Sequence, residues 1–382
     1  MSQRILHLSG RGDLSGGPLV MANLINALPQ FQHGAVFPFV SLHHQLKQVA
    51  HCRCFDLNLH SLHPKNIRQL QKIQADFKPD LIHSHGKAAG LWGRLLARLM
   101  DIPIIHQFHG MHWRHYPFFL QGSYFAYERV FARWTNGFVF VSYGEQDEYD
   151  QWIDENVSSV VIHNGINSGE LLQEAQKKLL MQRLQIPERV PVLASITRAV
   201  YQKSLDRLLQ IHHDLLLKRP AVLLLFGVRP DELRKFKLSP EQEAMIRCIH
   251  DEQNIPLKLQ VADIYISTSR WEGFSLGLLE ALGVGVPAVV SAVTGHLDLL
   301  SLHPRGIRLV GTHQTREYLN HIEEWLSDPI ARKRAGQFAK KRINQQFSLA
   351  DSAAQMEIFY RSVLNNEATR PFQSRRLFNH PN

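Results

Sequence analysis

Cysteine is scarce in this sequence: Cys52, Cys54 and Cys248 are the only three among 382 residues. A Cys-x-Cys pair closes too short a loop for an ordinary disulfide, so reduced thiols are expected. Long apolar runs are missing as well. None reaches the roughly 18 residues that a membrane-spanning helix needs, and the opening Met1-Ser-Gln-Arg-Ile-Leu-His-Leu8 reads as a strand rather than a leader peptide. A cytoplasmic location is the default expectation. Neither a zinc-finger spacing nor an RNP-like aromatic strand occurs, and the basic residues are scattered rather than striped, which sets nucleic acid aside as a partner. The first glycine-rich loop does not have the Gly-x-Gly-x-x-Gly spacing of a dinucleotide fingerprint.

What is present is an ordinary globular composition, 44% hydrophobic and 9% aromatic, long enough to bury large cores and to form two domains. The formal charge of +9 and the pI near 9.5 attract anions. Nucleotide phosphates and anionic lipid headgroups both qualify, and charge alone does not choose between them.

Strand and helix patterns alternate along the chain. Arg4–Ser9 reads as a strand, Gly10–Pro18 as a glycine-rich loop in which Gly16 and Gly17 allow close ligand approach, and Leu19–Leu28 as a helix. Val36–Leu42 suggests a second strand. A helix around Pro64–Phe77 leads to the strand Lys78–His85, then come a helix at Gly86–Leu99 and a strand at Ile102–His106. Such repeats imply an α/β fold with parallel sheets and ligands at the carboxyl ends of the strands. His83 and His85 end one strand, and His83 reads as an ordinary polar residue closing it. His106, His109, His112 and His115 recur at intervals of three. Gly110 and the preceding strand argue against a shared helix face, and no acid or cysteine completes a ligand set, so no metal is expected there. The stretch Trp113–Trp134 is crowded with aromatic and basic residues, suited either to a membrane surface or to a core-facing helix at about Tyr124–Trp134.

The most informative stretch runs Arg270-Trp271-Glu272-Gly273-Phe274-Ser275-Leu276-Gly277-Leu278-Leu279-Glu280. Val261–Thr268 upstream alternates as a strand does, and Ser275 can cap a helix from Leu276 to about Leu282. Glu272 then lies in a loop and Glu280 in the helix, with the backbone N–H groups of Phe274, Ser275 and Leu276 between them. Free N–H groups and the helix dipole suit an anion, while ionised carboxylates accept hydrogen bonds from hydroxyls. A ligand with phosphate in its middle and hydroxyl-rich ends, such as a nucleotide-sugar, fits that pattern.

Glu272 and Glu280 have the Glu-x7-Glu spacing of the retaining glycosyltransferases of family 4, and the flanking Gly-Phe-Ser-Leu-Gly-Leu-Leu-Glu-Ala and Gly285-Val-Pro287 follow that family's order. The sequence resembles this family over nearly its whole length. Asp80-Leu-Ile-His-Ser-His85, His109-Gly110, the strand end before Ser142, and Val160-Val-Ile-His-Asn164-Gly165-Ile166 all resemble its segments, with Asn167 where Asp is usual. Arg198 and Lys203 resemble the basic pair of its Gly-Arg-x4-Lys-Gly loop, with Thr197 and Ser204 in place of the two glycines. The segment Val228–Lys258 shows no recognisable counterpart, and Ser291–His296 carries the single Gly295 where a Gly-Gly pair is usual.

The resemblance implies the GT-B architecture: two Rossmann-like domains facing a cleft, at residues 1–167 and 190–349. A linker at 168–189, a helix at about 350–365 crossing back to the first domain, and a basic tail at 366–382 complete that division. It further implies a retaining, metal-independent hexosyltransferase without cofactor. Arg198 and Lys203 would bind the diphosphate, Glu280 the ribose hydroxyls, Glu272 the sugar hydroxyls, and His109 the sugar from the first domain. Gly16, Gly17, Gly227, Phe274, Ser275 and Leu276 complete the donor site. The acceptor expected is a saccharide or lipid-linked glycan of the bacterial cell surface, with peripheral contact to an anionic membrane. An epimerase of the same fold and a non-catalytic sugar or polyanion binder are the alternatives.

Overall fold

A computed structural model describes residues 2–366 except 62, 112, 114, 115, 154–156, 168, 251–253 and 304. His112 and His115 of the histidine run, Arg114 of the aromatic stretch, and the basic tail from 367 onward lie outside the described residues. The chain divides into two units, one of residues 1–164 with 349–382 and one of residues 165–348. The span 168–189, expected as a bridge, belongs to the second unit and carries the helix Glu174–Arg183. Among the described residues no helix is long and apolar enough to cross a membrane.

The first unit is built on seven strands, β1 (Arg4–Ser9), β2 (Gln32–Phe37), β3 (Cys52–Asp56), β4 (Leu81–His85), β5 (Ile104–Gln107), β6 (Gly137–Phe140) and β7 (Ser159–Val161). All pair in parallel in the order 3-2-1-4-5-6-7. The second unit has six parallel strands, β8 (Val192–Ile196), β9 (Val222–Phe226), β10 (Ile246–Ile249), β11 (Ile264–Ser267), β12 (Ala288–Ser291) and β13 (Ile307–Val310), in the order 10-9-8-11-12-13. Strand order therefore reverses between β1 and β4 in one sheet and between β8 and β11 in the other, and ligands of such sheets bind beyond the carboxyl ends at that reversal.

Sheets covered by helices on both faces explain the apolar runs, such as Val222–Phe226 with every residue buried. They also explain several departures from the sequence reading. β4 is buried throughout although it contains two histidines and a serine. His83 is not a surface residue closing the strand; it is fully buried, with Nδ1 2.6 Å from the Tyr360 hydroxyl. The second strand ends at Phe37, before Pro38, and residues 41–46 turn into a short helix instead of extending it. Cys52–Asp56 and Ile246–Ile249 are strands that the sequence reading passed over; the latter fills the unrecognised span 228–258. Gly16 and Gly17 open the helix Gly16–Ala27, with Pro18 in its first turn where a missing N–H costs little.

The aromatic stretch divides its residues between core and surface. In the helix Phe118–Ala132, Tyr124 and Phe125 are buried in a cluster with Phe108, Phe138 and Tyr149, whereas Phe119 is 78% exposed. Arg94 in the helix Gly86–Met100 and Glu128 in this one form an ion pair at 2.8 Å that is almost wholly buried. The helix Leu349–Leu364 belongs to the first unit, burying Met356, Phe359, Tyr360 and Val363. Phe359 lies over Gly137 of β6 with 1% exposure. Phe359→Ala should therefore lower stability by about 3–5 kcal/mol; a urea midpoint unchanged from the parent would show that this helix does not close the first core.

Candidate active site

The second unit brings Lys203, Glu272 and Glu280 to the carboxyl ends of β8 and β11. After β11 the backbone turns through Thr268 and Ser269, whose hydroxyls lock the turn. Thr268 Oγ1 donates to the carbonyls of Lys203 and Ser204, and Ser269 Oγ donates to Glu272 Oε1 at 2.6 Å. Ser291 at the end of β12 donates to the Ser269 carbonyl at 2.6 Å. Arg270 reinforces the same seam, its guanidinium 4.0 Å above the Tyr201 ring and paired with Asp206. Glu272 is 8% exposed, and Lys203 Nζ lies 2.5 Å from its Oε1. Burial pushes the Glu272 carboxyl up, but the charge of Lys203, then His296, and the hydrogen bonds from Lys203 and Ser269 outweigh it and hold it below the usual carboxylate range.

Ser275 caps the helix Leu276–Gly283, accepting from the Leu278 N–H at 3.4 Å. The Phe274 and Leu276 side chains are buried, Phe274 5.4 Å from the Phe347 ring, so these two residues have backbone rather than side chains to offer a ligand. Glu280 is half-buried in the helix, and burial pushes its carboxyl up to about 7. Arg198 is half-buried just beyond β8. Gly227 follows β9 with φ of +88°, and a Cβ there would stand 2.8 Å from the Thr197 carbonyl oxygen. Ser204, standing where the resembling loop has glycine, adopts the left-handed φ of 50° all the same. Its hydroxyl donates to Asp206 at 3.1 Å, a local bond that favours this backbone.

The single Gly295 has a mechanical role. Its N–H donates to the Glu272 carbonyl at 3.1 Å, and a Cβ on it would lie 2.2 Å from the Gly273 carbonyl oxygen. The adjoining His296 is fully buried and hydrogen-bonded through Nδ1 to the Ser291 carbonyl at 2.8 Å. His296 was not among the residues expected at the site; its only sequence signal is its place after that glycine.

In the first unit, His109 sits just beyond β5. Gly17 lies beside it: a Cβ on Gly17 would be 3.2 Å from the imidazole Cδ2. Gly110 donates its N–H to the buried Glu145 carboxylate at 2.5 Å, and the same carboxylate accepts from Val141 N–H. Glu145 was not among the residues expected at the site; Ser142 caps the helix by accepting from the Glu145 N–H, and the Glu145 carboxylate reaches the strand ends. His85 Nδ1 stands 3.2 Å from His109 Nε2, and His7, His33 and His83 continue the buried cluster.

Burial holds His7, His83, His85 and His106 well below the usual imidazole range and His33 at about 4. A folded-state pKa below the unfolded value of about 6.5 means that the unfolded chain takes up the proton first. The stability from these groups is complete above pH 6.5 and is lost as pH falls, at up to about 1.4 kcal/mol per histidine per pH unit. The melting temperature should drop steeply between pH 7 and 5.5, before most carboxylates titrate; a flat profile there would contradict the neutral cluster. Gly295→Ala should displace the 272–273 backbone and abolish nucleotide binding while the fold, read by far-UV circular dichroism, persists.

Comparison with known proteins bears on the family and the fold. Residues 16–170 match the family model Glycosyltransferase Family 4, and residues 176–342 match Glycosyl transferases group 1. The chain is 22% identical over 277 residues to a UDP-Gal:alpha-D-GlcNAc-diphosphoundecaprenol alpha-1,3-galactosyltransferase of Escherichia coli, covering 70% of this chain and 71% of that one. It is 25% identical to a D-inositol 3-phosphate glycosyltransferase of Corynebacterium aurimucosum, covering 75% and 73%. Among solved structures, HepE of Anabaena in complex with UDP and glucose superposes with a TM-score of 0.82 at 18% identity, over 94% of this chain and all of that one. The two parallel-sheet units are those of the GT-B fold. With both domain models in tandem and relatives named as transferases, the non-catalytic alternative falls away, and the chain is a glycosyltransferase carrying the Family 4 and group 1 domains.

Proposed function

We propose that this enzyme is a retaining, metal-independent transferase that moves a hexose from a nucleotide-diphosphate sugar to a saccharide or lipid-linked acceptor in bacterial cell-surface polysaccharide or lipopolysaccharide synthesis. The observation that carries the reading is the juxtaposition, at the strand-order reversal of the second sheet, of a buried Lys203–Glu272 pair with a capped helix that bears Glu280. As the bond from the sugar C1 to the diphosphate breaks, negative charge builds on the departing oxygen. Lys203 and Arg198 stabilise that charge best if they are already in place. A diphosphate that draws Lys203 away leaves the Glu272 carboxylate to accept hydrogen bonds from sugar hydroxyls. Glu280 receives the ribose hydroxyls, and His109 is assigned to the sugar from the resemblance at His109-Gly110.

Retention of configuration and independence from metal rest on the Glu-x7-Glu resemblance. A lipid-linked acceptor is favoured by the name of the Escherichia coli relative and by the exposed Phe119 and Leu120, which suit a peripheral membrane contact. Release of a new nucleotide-sugar from donor alone would point instead to an epimerase.

Arg198→Ala should lower kcat by on the order of 10²–10³ with the fold intact; unimpaired turnover would remove Arg198 from the leaving-group role. Glu280 tests the ribose assignment through pH. Its carboxyl, at about 7, is ionised above that pH and protonated below it, so donor KM should rise as pH falls through 7. Glu280→Gln should flatten that dependence, and an identical pH profile in the variant would place the ribose elsewhere.

A further inference from the structure

The first unit holds a line of four imidazoles leading inward from His109. His109 Nε2 is 3.2 Å from His85 Nδ1, His85 Nε2 is 3.2 Å from His7 Nδ1, and His7 Nε2 is 3.0 Å from His33 Nδ1. The line ends where His33 Nε2 meets the Leu28 carbonyl at 2.9 Å. We propose that this chain fixes His109 as the Nε2–H tautomer and sets the angle of its ring, making His85, His7 and His33 positioning residues for His109.

Donors and acceptors must pair along the line. A backbone carbonyl only accepts, so His33 Nε2 must carry the hydrogen. A neutral imidazole has one donor and one acceptor, so His33 Nδ1 is then bare and His7 Nε2 must donate to it. The same step passes the hydrogen to His85 Nε2 and then to His109 Nε2. Every link therefore points the same way, from His109 toward Leu28, and His109 keeps Nδ1 as an acceptor. Burial keeps His7, His33 and His85 neutral, as this requires. The first three rings are also nearly parallel, at 17° between His109 and His85 and 19° between His85 and His7, while His33 is tilted 38° from His7. Gly17 lies against one edge of the His109 ring, and Glu145 holds the next peptide through the Gly110 N–H.

The same cluster invites a metal reading, since His7, His83 and His85 offer ligand atoms within 4.8 Å of one another. Both ring nitrogens of His7 and of His85 already face another imidazole at hydrogen-bond distance, and His83 Nδ1 is given to Tyr360. An ion there would have to break the line.

The tautomer stands apart from the reaction, whereas its effect on turnover rests on the transferase reading. The test is two-bond proton–nitrogen correlation on the full chain with 15N-labelled histidine at pH 7.5, assigned with single histidine variants. His33, His7, His85 and His109 should each be neutral with hydrogen on Nε2. His85→Phe, which keeps a ring and removes both polar edges, should let His109 populate both tautomers and should lower kcat roughly tenfold with donor KM little changed. His85→Gln, with one donor and one acceptor, should restore most of both. Hydrogen on Nδ1 of His109, a charged His109 at pH 7.5, or one equivalent of bound metal in the purified parent would overturn the proposal. A parent with the expected tautomers but no transfer would sink the transferase reading and leave the tautomer assignment standing.

Discussion

A carboxylate left with 8% exposure has to be compensated, and the compensation of Glu272 organises the candidate site of the second unit. Lys203 supplies the opposite charge from the loop after β8, Ser269 a hydroxyl from the turn after β11, and Gly295 the close backbone approach that fixes the peptide after Glu272. Three strand ends are thereby tied to one residue, two through its carboxylate and one through its backbone. The cost of burying that charge is met only while all three stay in register, so the geometry of the site and the stability of its loops are one property.

The first unit solves a similar problem with neutral groups. Within β2, β1 and β4, beside the reversal of its strand order, it places imidazoles whose burial strips them of charge and whose nitrogens satisfy one another. A polar network of that kind rigidifies when complete and is costly when broken. His296 Nε2 beside Glu272 is buried without a hydrogen-bond partner among the described residues. Such an atom carries an unmet desolvation cost that a bound polar group would relieve.

How much of this was legible in the sequence depended on whether local signals and tertiary burial agreed. Glu272 and Glu280 were legible because loop, cap and helix fall within nine consecutive residues, and Ser275 is a cap by chemistry alone. The two parallel sheets were legible from the repeated strand–helix pattern. The imidazole line was not, since His7, His33 and His85 are 26 or more residues apart and meet only through the β2-β1-β4 pairing. Glu145 was hidden for a different reason: Ser142-Tyr-Gly-Glu145 reads only as the opening of a helix, so nothing flagged the carboxylate that reaches the strand ends. Ser204 shows the limit in the other direction. A missing glycine put the loop in doubt, yet the loop forms, because a short side-chain bond to Asp206 offsets part of the cost of left-handed backbone.

If the proposed assignment holds, the pairing of Lys203 with Glu272 also limits how a nucleotide-sugar donor can bind. In a site of low dielectric neither charge can be stranded. A ligand that takes the lysine onto phosphate must at the same time offer hydrogen-bond donors to the carboxylate, or the gain at one end is lost at the other. A nucleoside diphosphate without its sugar meets only the first demand, and a free sugar only the second. On the proposed assignment an intact nucleotide-sugar would meet both, so this one ion pair would favour it over either of its halves, a discrimination that comes from the cost of leaving a partner unpaired rather than from any added contact.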